Sequence, residues 1–236
     1  MRKNRKGEMT LWPLKSSTPQ WQKPIRGVLF DMDGLILDTE RLYTRFWQEA
    51  AHAFGCPMTR EQALGMRSLN RDTAKEKMES FFGPDTPYAA IRELRIRLMD
   101  EYIAENGVEA KPGIRELLDA LDAHGIPAAV TTSSSLERVN ANLSKLNLLH
   151  RFARICQGSD VPTCKPEPEI HLYGAASLGL PPENCLALED SPAGILSAYR
   201  AGCMPIMVPD QDQPDEKTRE NLFAKADSLA DIISLL

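Results

Sequence analysis

Two carboxylates, Asp31 and Asp33, stand one residue apart where a short apolar run (Val28, Leu29, Phe30) ends, in the stretch GVLFDMDGLILDTE from Gly27 to Glu40. The run has the composition of a strand buried on both faces. Its end, with the turn that Gly34 permits, would aim both acids at one pocket beyond the carboxyl edge of a sheet, where open α/β folds bind ligands. Such a pair attracts a hard cation. It can also divide labour, one carboxylate attacking while its neighbour moves a proton. Taken alone, the pattern reads equally as an Asp-Gly turn with two solvated acids, so the other strand ends decide.

Three of them carry polar residues of the kind phosphate chemistry requires. After Ala128, Ala129 and Val130 come Thr131, Thr132, Ser133, Ser134 and Ser135, whose hydroxyls and free N–H groups at a helix start can hold phosphate oxygens or serve only as a cap. Lys165 lies in Cys164-Lys165-Pro166-Glu167-Pro168, a stiff loop able to fix one ammonium in place, although an exposed lysine is the plainer reading. Glu189 and Asp190 end the apolar strand Leu186, Ala187, Leu188. Adjacent acids leaving a buried strand are costly unless a cation or donors meet them, which points to a metal.

The elements between these stretches fall into two textures. From Lys111 onward strand and helix alternate: a helix from Pro112 to Gly125, a strand Ile126–Thr131, a helix Ser133–Leu148, a short strand Ala153–Cys156, a helix Glu169–Leu178, a strand Cys185–Leu188, a helix Pro192–Ala201, a strand Met204–Val208 and a short C-terminal helix. That alternation predicts a parallel sheet covered on both faces. Residues 39–110 are different. Leu42, Phe46, Trp47, Ala50 and Phe54, then Ile91, Leu94, Leu98 and Tyr102, recur at helical spacing, with Thr59–Met66 and Asn70–Phe82 also helical in character. This much helix directly after a parallel strand exceeds a crossover, so residues 39–110 read as a separate helical domain inserted into a core of residues 23–38 and 111–236. Residues 1–22, with Arg2, Lys3, Arg5 and Lys6 but no apolar region after them, read as a disordered extension rather than a signal peptide.

Composition limits the partners. The chain has 236 residues, 42% hydrophobic and 26% charged, with a net charge of −5 and a pI near 5.5. That acidity argues against a nucleic-acid surface, and no apolar run approaches the ~20 residues of a membrane span. Five scattered cysteines without a C-x-x-C pair read as reduced thiols in a cytoplasmic protein. A monomer or weak dimer is expected.

In the order DMDGLILDTE, VTTSSS, CKPEPE and ALEDSPAG, the four pieces resemble the motifs of the haloacid dehalogenase-like phosphohydrolase superfamily. The resemblance covers Ile25 to Leu236. The helical insertion is similar to that of the small-cap subclass, which includes β-phosphoglucomutase and several sugar- and nucleotide-monophosphate phosphatases. The resemblance implies an α/β fold, with a Rossmann-like doubly wound parallel sheet and an α-helical cap as its lid. It also implies a Mg²⁺ cofactor and a small phosphorylated metabolite as substrate. Carried over by position, it makes Asp31 the nucleophile that becomes an aspartyl phosphate and Asp33 the general acid and base. Asp31, the backbone carbonyl of Asp33 and Asp190 would hold Mg²⁺, with Glu189 a further ligand. Thr132 would bind a phosphoryl oxygen with help from Ser133 or Ser134, and Lys165 would offset negative charge.

The charge balance supports those roles independently, because a phosphate monoester repels a carboxylate nucleophile until a divalent cation and a lysine compensate. In the insertion, Arg67, Arg71 and Lys75 are candidate contacts to a second anionic or polyhydroxyl group. Tyr43 stands where sequences similar to β-phosphoglucomutase usually carry His, and DMDGLILDTERLY is closer to phosphatases of the pseudouridine-5′-phosphatase type. The expectation is therefore a phosphatase, with a phosphosugar mutase as the alternative. A signalling receiver module also uses an acidic cluster, Thr and Lys, but lacks a large helical insertion beside its first strand.

Overall fold

The computed structural model describes residues 23–66, 69, 71–210 and 213–236. Arg67 and residues 1–22 lie outside that set, and so do the expectations attached to them. The chain forms two compact units, one of described residues up to Leu37 together with Ala110–Leu236, the other Asp38–Glu109.

The first unit is built on six parallel strands: β1 (Gly27–Phe30), β2 (Ala128–Thr132), β3 (Arg154–Gln157), β4 (Cys185–Glu189), β5 (Met204–Met207) and β6 (Ala224–Lys225), in the order β3-β2-β1-β4-β5-β6. Every residue of β1, β2, β4 and β5 is buried. Since successive side chains point to opposite faces, both faces are covered. The covering helices are α5 (Ile114–His124), α6 (Leu136–Lys145), α7 (Glu169–Ser177) and α8 (Pro192–Arg200), with a short α9 (Glu216–Glu220) and a final 3₁₀ segment, Leu229–Leu235. This is the Rossmann-like doubly wound sheet expected. The strand order puts β1 in the middle, where the order reverses and a crevice opens at the carboxyl edge.

Register then does the positioning. Phe30 pairs with Val130 on β2 and with Leu188 on β4. The next residues, Asp31, Thr131 and Glu189, therefore lie abreast, and the Asp31 N–H still reaches the Leu188 carbonyl at 3.0 Å.

The second unit contains α1 (Glu40–Ala53), α2 (Arg60–Leu64), α3 (Arg71–Phe82) and α4 (Tyr88–Asn106). Its core gathers Trp47, Met58, Met78, Tyr88 and Ile91, all buried, with Trp47 and Tyr88 stacked at 6.3 Å. Among the described residues no helix is long and apolar enough to cross a membrane.

Candidate active site

Lys165 ties together the strand ends that register has aligned. Its ammonium donates to Asp31 Oδ1 at 2.8 Å, to the Thr131 carbonyl at 3.1 Å and to Glu189 Oε1 at 2.7 Å. An ammonium has three protons, and all three are used on β1, β2 and β4 or the residues that follow them. The side chain is only 11% exposed. Burial alone would lower its pKa, but the Asp31 and Glu189 carboxylates outweigh that and raise it, so the cation is held charged. The Glu189 carboxyl is driven the other way. Burial opposes ionisation there, yet Lys165 and His171 hold it below the usual range.

Asp31 keeps one oxygen uncommitted. Oδ1 belongs to Lys165, whereas Oδ2 has no hydrogen-bond partner among the described residues. Burial, with added repulsion from Glu189 and Asp33, pushes the Asp31 carboxyl up to about 7 against the pull of Lys165. A cation placed beside it would reverse that balance. Carboxylate oxygens of Asp31, Glu189 and Asp190 lie within 4.8 Å of one another, and Glu189 Oε2 is buried without a hydrogen-bond donor. An all-oxygen, strongly anionic set of this kind fits a hard divalent ion such as Mg²⁺. The Asp33 carboxylate is not in the set.

Asp33 sits where the chain doubles back after β1. Gly34 adopts φ 81°, a left-handed conformation that suits glycine, and the Gly34 and Leu37 N–H groups close the turn on the Leu37 and Met32 carbonyls. Ser134 donates its hydroxyl to Asp33 Oδ2 at 2.7 Å, and Arg138 Nη2 stands 3.7 Å from Oδ1. Thr132 is buried and its oxygen accepts the Ser134 N–H at 3.1 Å. Its own hydroxyl proton has no acceptor among the described residues, which leaves a donor for an incoming oxygen. Ser133 is exposed beside Gly158. The helix expected from Ser133 begins at Leu136 with Ser135 as its cap. Ser134 spends its N–H on Thr132 and its hydroxyl on Asp33, so this stretch stays an open turn.

The remaining candidates, Tyr43, Arg71 and Lys75, belong to the helical unit. Tyr43 carries the Arg95 guanidinium 4.8 Å above its ring, with Trp47 at 5.1 Å from the same group. Arg71 and Lys75 line a cavity of about 460 Å³ with Thr86 and Tyr88. Sequence reasoning missed three residues that touch the reactive cluster: His171, whose Nε2 is 2.9 Å from Glu189 Oε1, Ser197 behind it, and Arg138. The available signal was a lone histidine in the otherwise apolar middle of EIHLYGAAS.

The profile of the family described as haloacid dehalogenase-like hydrolase matches residues 28–208. Over 212 residues the chain is 33% identical to a Drosophila melanogaster protein named "Probable pseudouridine-5'-phosphatase", covering 86% of this chain and 89% of that one. It is 32% identical over 183 residues to hexitol phosphatase A of Escherichia coli, covering 78% and 82%. Among solved structures, CbbY from Rhodobacter sphaeroides in complex with phosphate superposes with a TM-score of 0.71 at 28% identity, covering 88% of this chain and 96% of that one. With the four strand-end motifs gathered at one edge of the sheet and the family profile spanning them, the chain belongs to the haloacid dehalogenase-like hydrolases.

Proposed function

We propose that the chain, a phosphoric monoester hydrolase, is a Mg²⁺-dependent phosphatase of a small phosphorylated metabolite, a sugar phosphate or a nucleotide monophosphate, working through an aspartyl phosphate on Asp31. The observation that carries this reading is the Lys165 ammonium bridging Asp31 at 2.8 Å and Glu189 at 2.7 Å beside the acidic cluster. It leaves one nucleophile oxygen neutralised and the other open. The names of the two relatives, a nucleotide-type and a sugar-type phosphatase, support the substrate class.

In the first step an Asp31 oxygen bonds to phosphorus, the ester P–O bond breaks, and the leaving oxygen takes a proton from Asp33. In the second step Asp33 takes a proton from water, whose oxygen attacks phosphorus and releases phosphate and the Asp31 carboxylate. Thr132 donates to a phosphoryl oxygen and Lys165 offsets charge through both steps. Asp31, Glu189, Asp190 and the Asp33 carbonyl would hold Mg²⁺, which when bound supplies the positive charge that lets two anions meet. Ser133 and Ser134 add contacts at the turn. Substrate choice is assigned to the helical unit, with Tyr43, Arg67 and Arg71 as its candidates.

The test is turnover of p-nitrophenyl phosphate and a panel of phosphorylated metabolites with Mg²⁺ and with chelator. Phosphate release that needs Mg²⁺ and is abolished in Asp31→Asn, with the fold intact by circular dichroism, is the expected result. Persistent turnover in Asp31→Asn overturns the nucleophile assignment. Phosphorus NMR of the reaction with a sugar bisphosphate added separates released phosphate from an isomerised sugar phosphate, the product of a mutase.

A further inference from the structure

We propose that His171, backed by Ser197, is a positioning residue that fixes the Glu189 carboxylate and, through it, the Lys165 ammonium against Asp31. This rests on the phosphatase reading for its purpose, though not for its geometry.

His171 lies on α7, fully buried, and no step of the chemistry uses it. Its two ring nitrogens have different partners: Nδ1 is 2.8 Å from Ser197 Oγ and Nε2 is 2.9 Å from Glu189 Oε1. The Ser197 hydroxyl also lies 2.6 Å from the Glu167 carbonyl. Glu189 Oε1 is a carboxylate oxygen and accepts, so Nε2–H is the donor there, and with Ser197 Oγ against Nδ1 the ring is held in one orientation toward Glu189. The terminal torsion of a glutamate is soft and would otherwise let the carboxylate swing. Here the same oxygen, Oε1, meets both Nε2 of His171 and Nζ of Lys165 at 2.7 Å, so two fixed groups clamp it.

The support behind the ring is one helix. On α8, Ser197 holds the Glu167 carbonyl, while Arg200 Nη1 donates to the Pro166 carbonyl at 3.2 Å and to Glu167 Oε1 at 2.8 Å. These contacts grip the loop that carries Lys165. A single element thus sets the loop from one side and the histidine from the other, and both converge on Glu189. A histidine retained only for packing would need neither contact, since an apolar side chain fills such a space without desolvation cost.

Three variants and two readouts test the assignment. In the full chain, Mg²⁺ binding is titrated calorimetrically without substrate, and the imidazole resonances of ¹⁵N-histidine-labelled protein are followed. His171→Phe keeps the bulk and removes the nitrogens; Mg²⁺ affinity or kcat should fall by about 10–100-fold, with KM changed far less. His171→Gln, whose amide N–H can meet Glu189, should recover most of that loss. Ser197→Ala removes a single hydroxyl, and its fold is checked by circular dichroism; it should shift the His171 ring resonances and weaken Mg²⁺ binding in the same direction.

The assignment is overturned if Ser197→Ala leaves those resonances in place. It is also overturned if both His171→Phe and Ser197→Ala stay within about twofold of wild type in Mg²⁺ affinity and kcat while only the melting temperature drops. A wild-type protein that binds Mg²⁺ yet hydrolyses no phosphate ester would defeat the phosphatase reading, whereas the calorimetry and the ring resonances would still judge the clamp.

Discussion

Asp31 meets opposed demands, being buried beside two like charges and held by one opposite charge. The carboxyl rises to about 7 from 3.8, with burial as the largest cause. In the metal-free protein this has a definite sign. Between those two values the folded chain binds a proton that the unfolded chain has lost, so Asp31 stabilises the fold below about pH 4 and that contribution disappears as pH climbs to about 7. Asp31→Asn carries no such charge. With chelator present, its melting temperature should gain steadily on wild type between those limits and hold a constant lead above them. A lead independent of pH would show that Asp31 ionises freely in the fold.

Helix α8 shows an element bent to the needs of one side chain. Gly194 lies in its first turn, and a Cβ there would overlap the Glu189 carboxylate. Glycine inside a helix is ordinarily a loss, and replacing it with alanine stabilises by about 1 kcal/mol. Here the sign should invert. Gly194→Ala is expected to destabilise by about 1–3 kcal/mol, since the added methyl enters filled space, and to cut turnover as Glu189 shifts. Thermal unfolding with a parallel rate assay checks both; a more stable, fully active variant would mean that the carboxylate can move without consequence. Helix α6 makes the complementary point. Its start is displaced to Leu136, with Ser135 as cap, because Ser134 serves Asp33 and Thr132 rather than the helix.

At the scale of the molecule, chemistry and helical insertion occupy different compact units. Every carboxylate of the acidic cluster belongs to the sheet unit, while Met78, fully buried, belongs to the core of the other. Met78→Ala should therefore cost about 2–5 kcal/mol of the helical unit's stability and leave Mg²⁺ binding, measured by calorimetry without substrate, unchanged. Loss of Mg²⁺ binding in that variant would show that the two units fold as one. Much of this organisation was legible in the chain itself. Runs such as Val28–Phe30 and Leu186–Leu188 declare buried strands, and helical periodicity marks the insertion, because burial and period are local properties that neighbours in sequence share. The acids, the threonine and Lys165 could likewise be picked out, since each ends a strand or stands in a stiff loop. Short elements escaped: β6 has two residues and α9 has five, too brief for any period to show. Only the tertiary structure decided which atoms meet. Lys165 reaches Asp31 across 134 positions and Ser134 reaches Asp33 across 101. Strand order and register, not any local preference, bring those groups within a bond's length, and the histidine that braces them became visible only once α7 and α8 had packed beside β4.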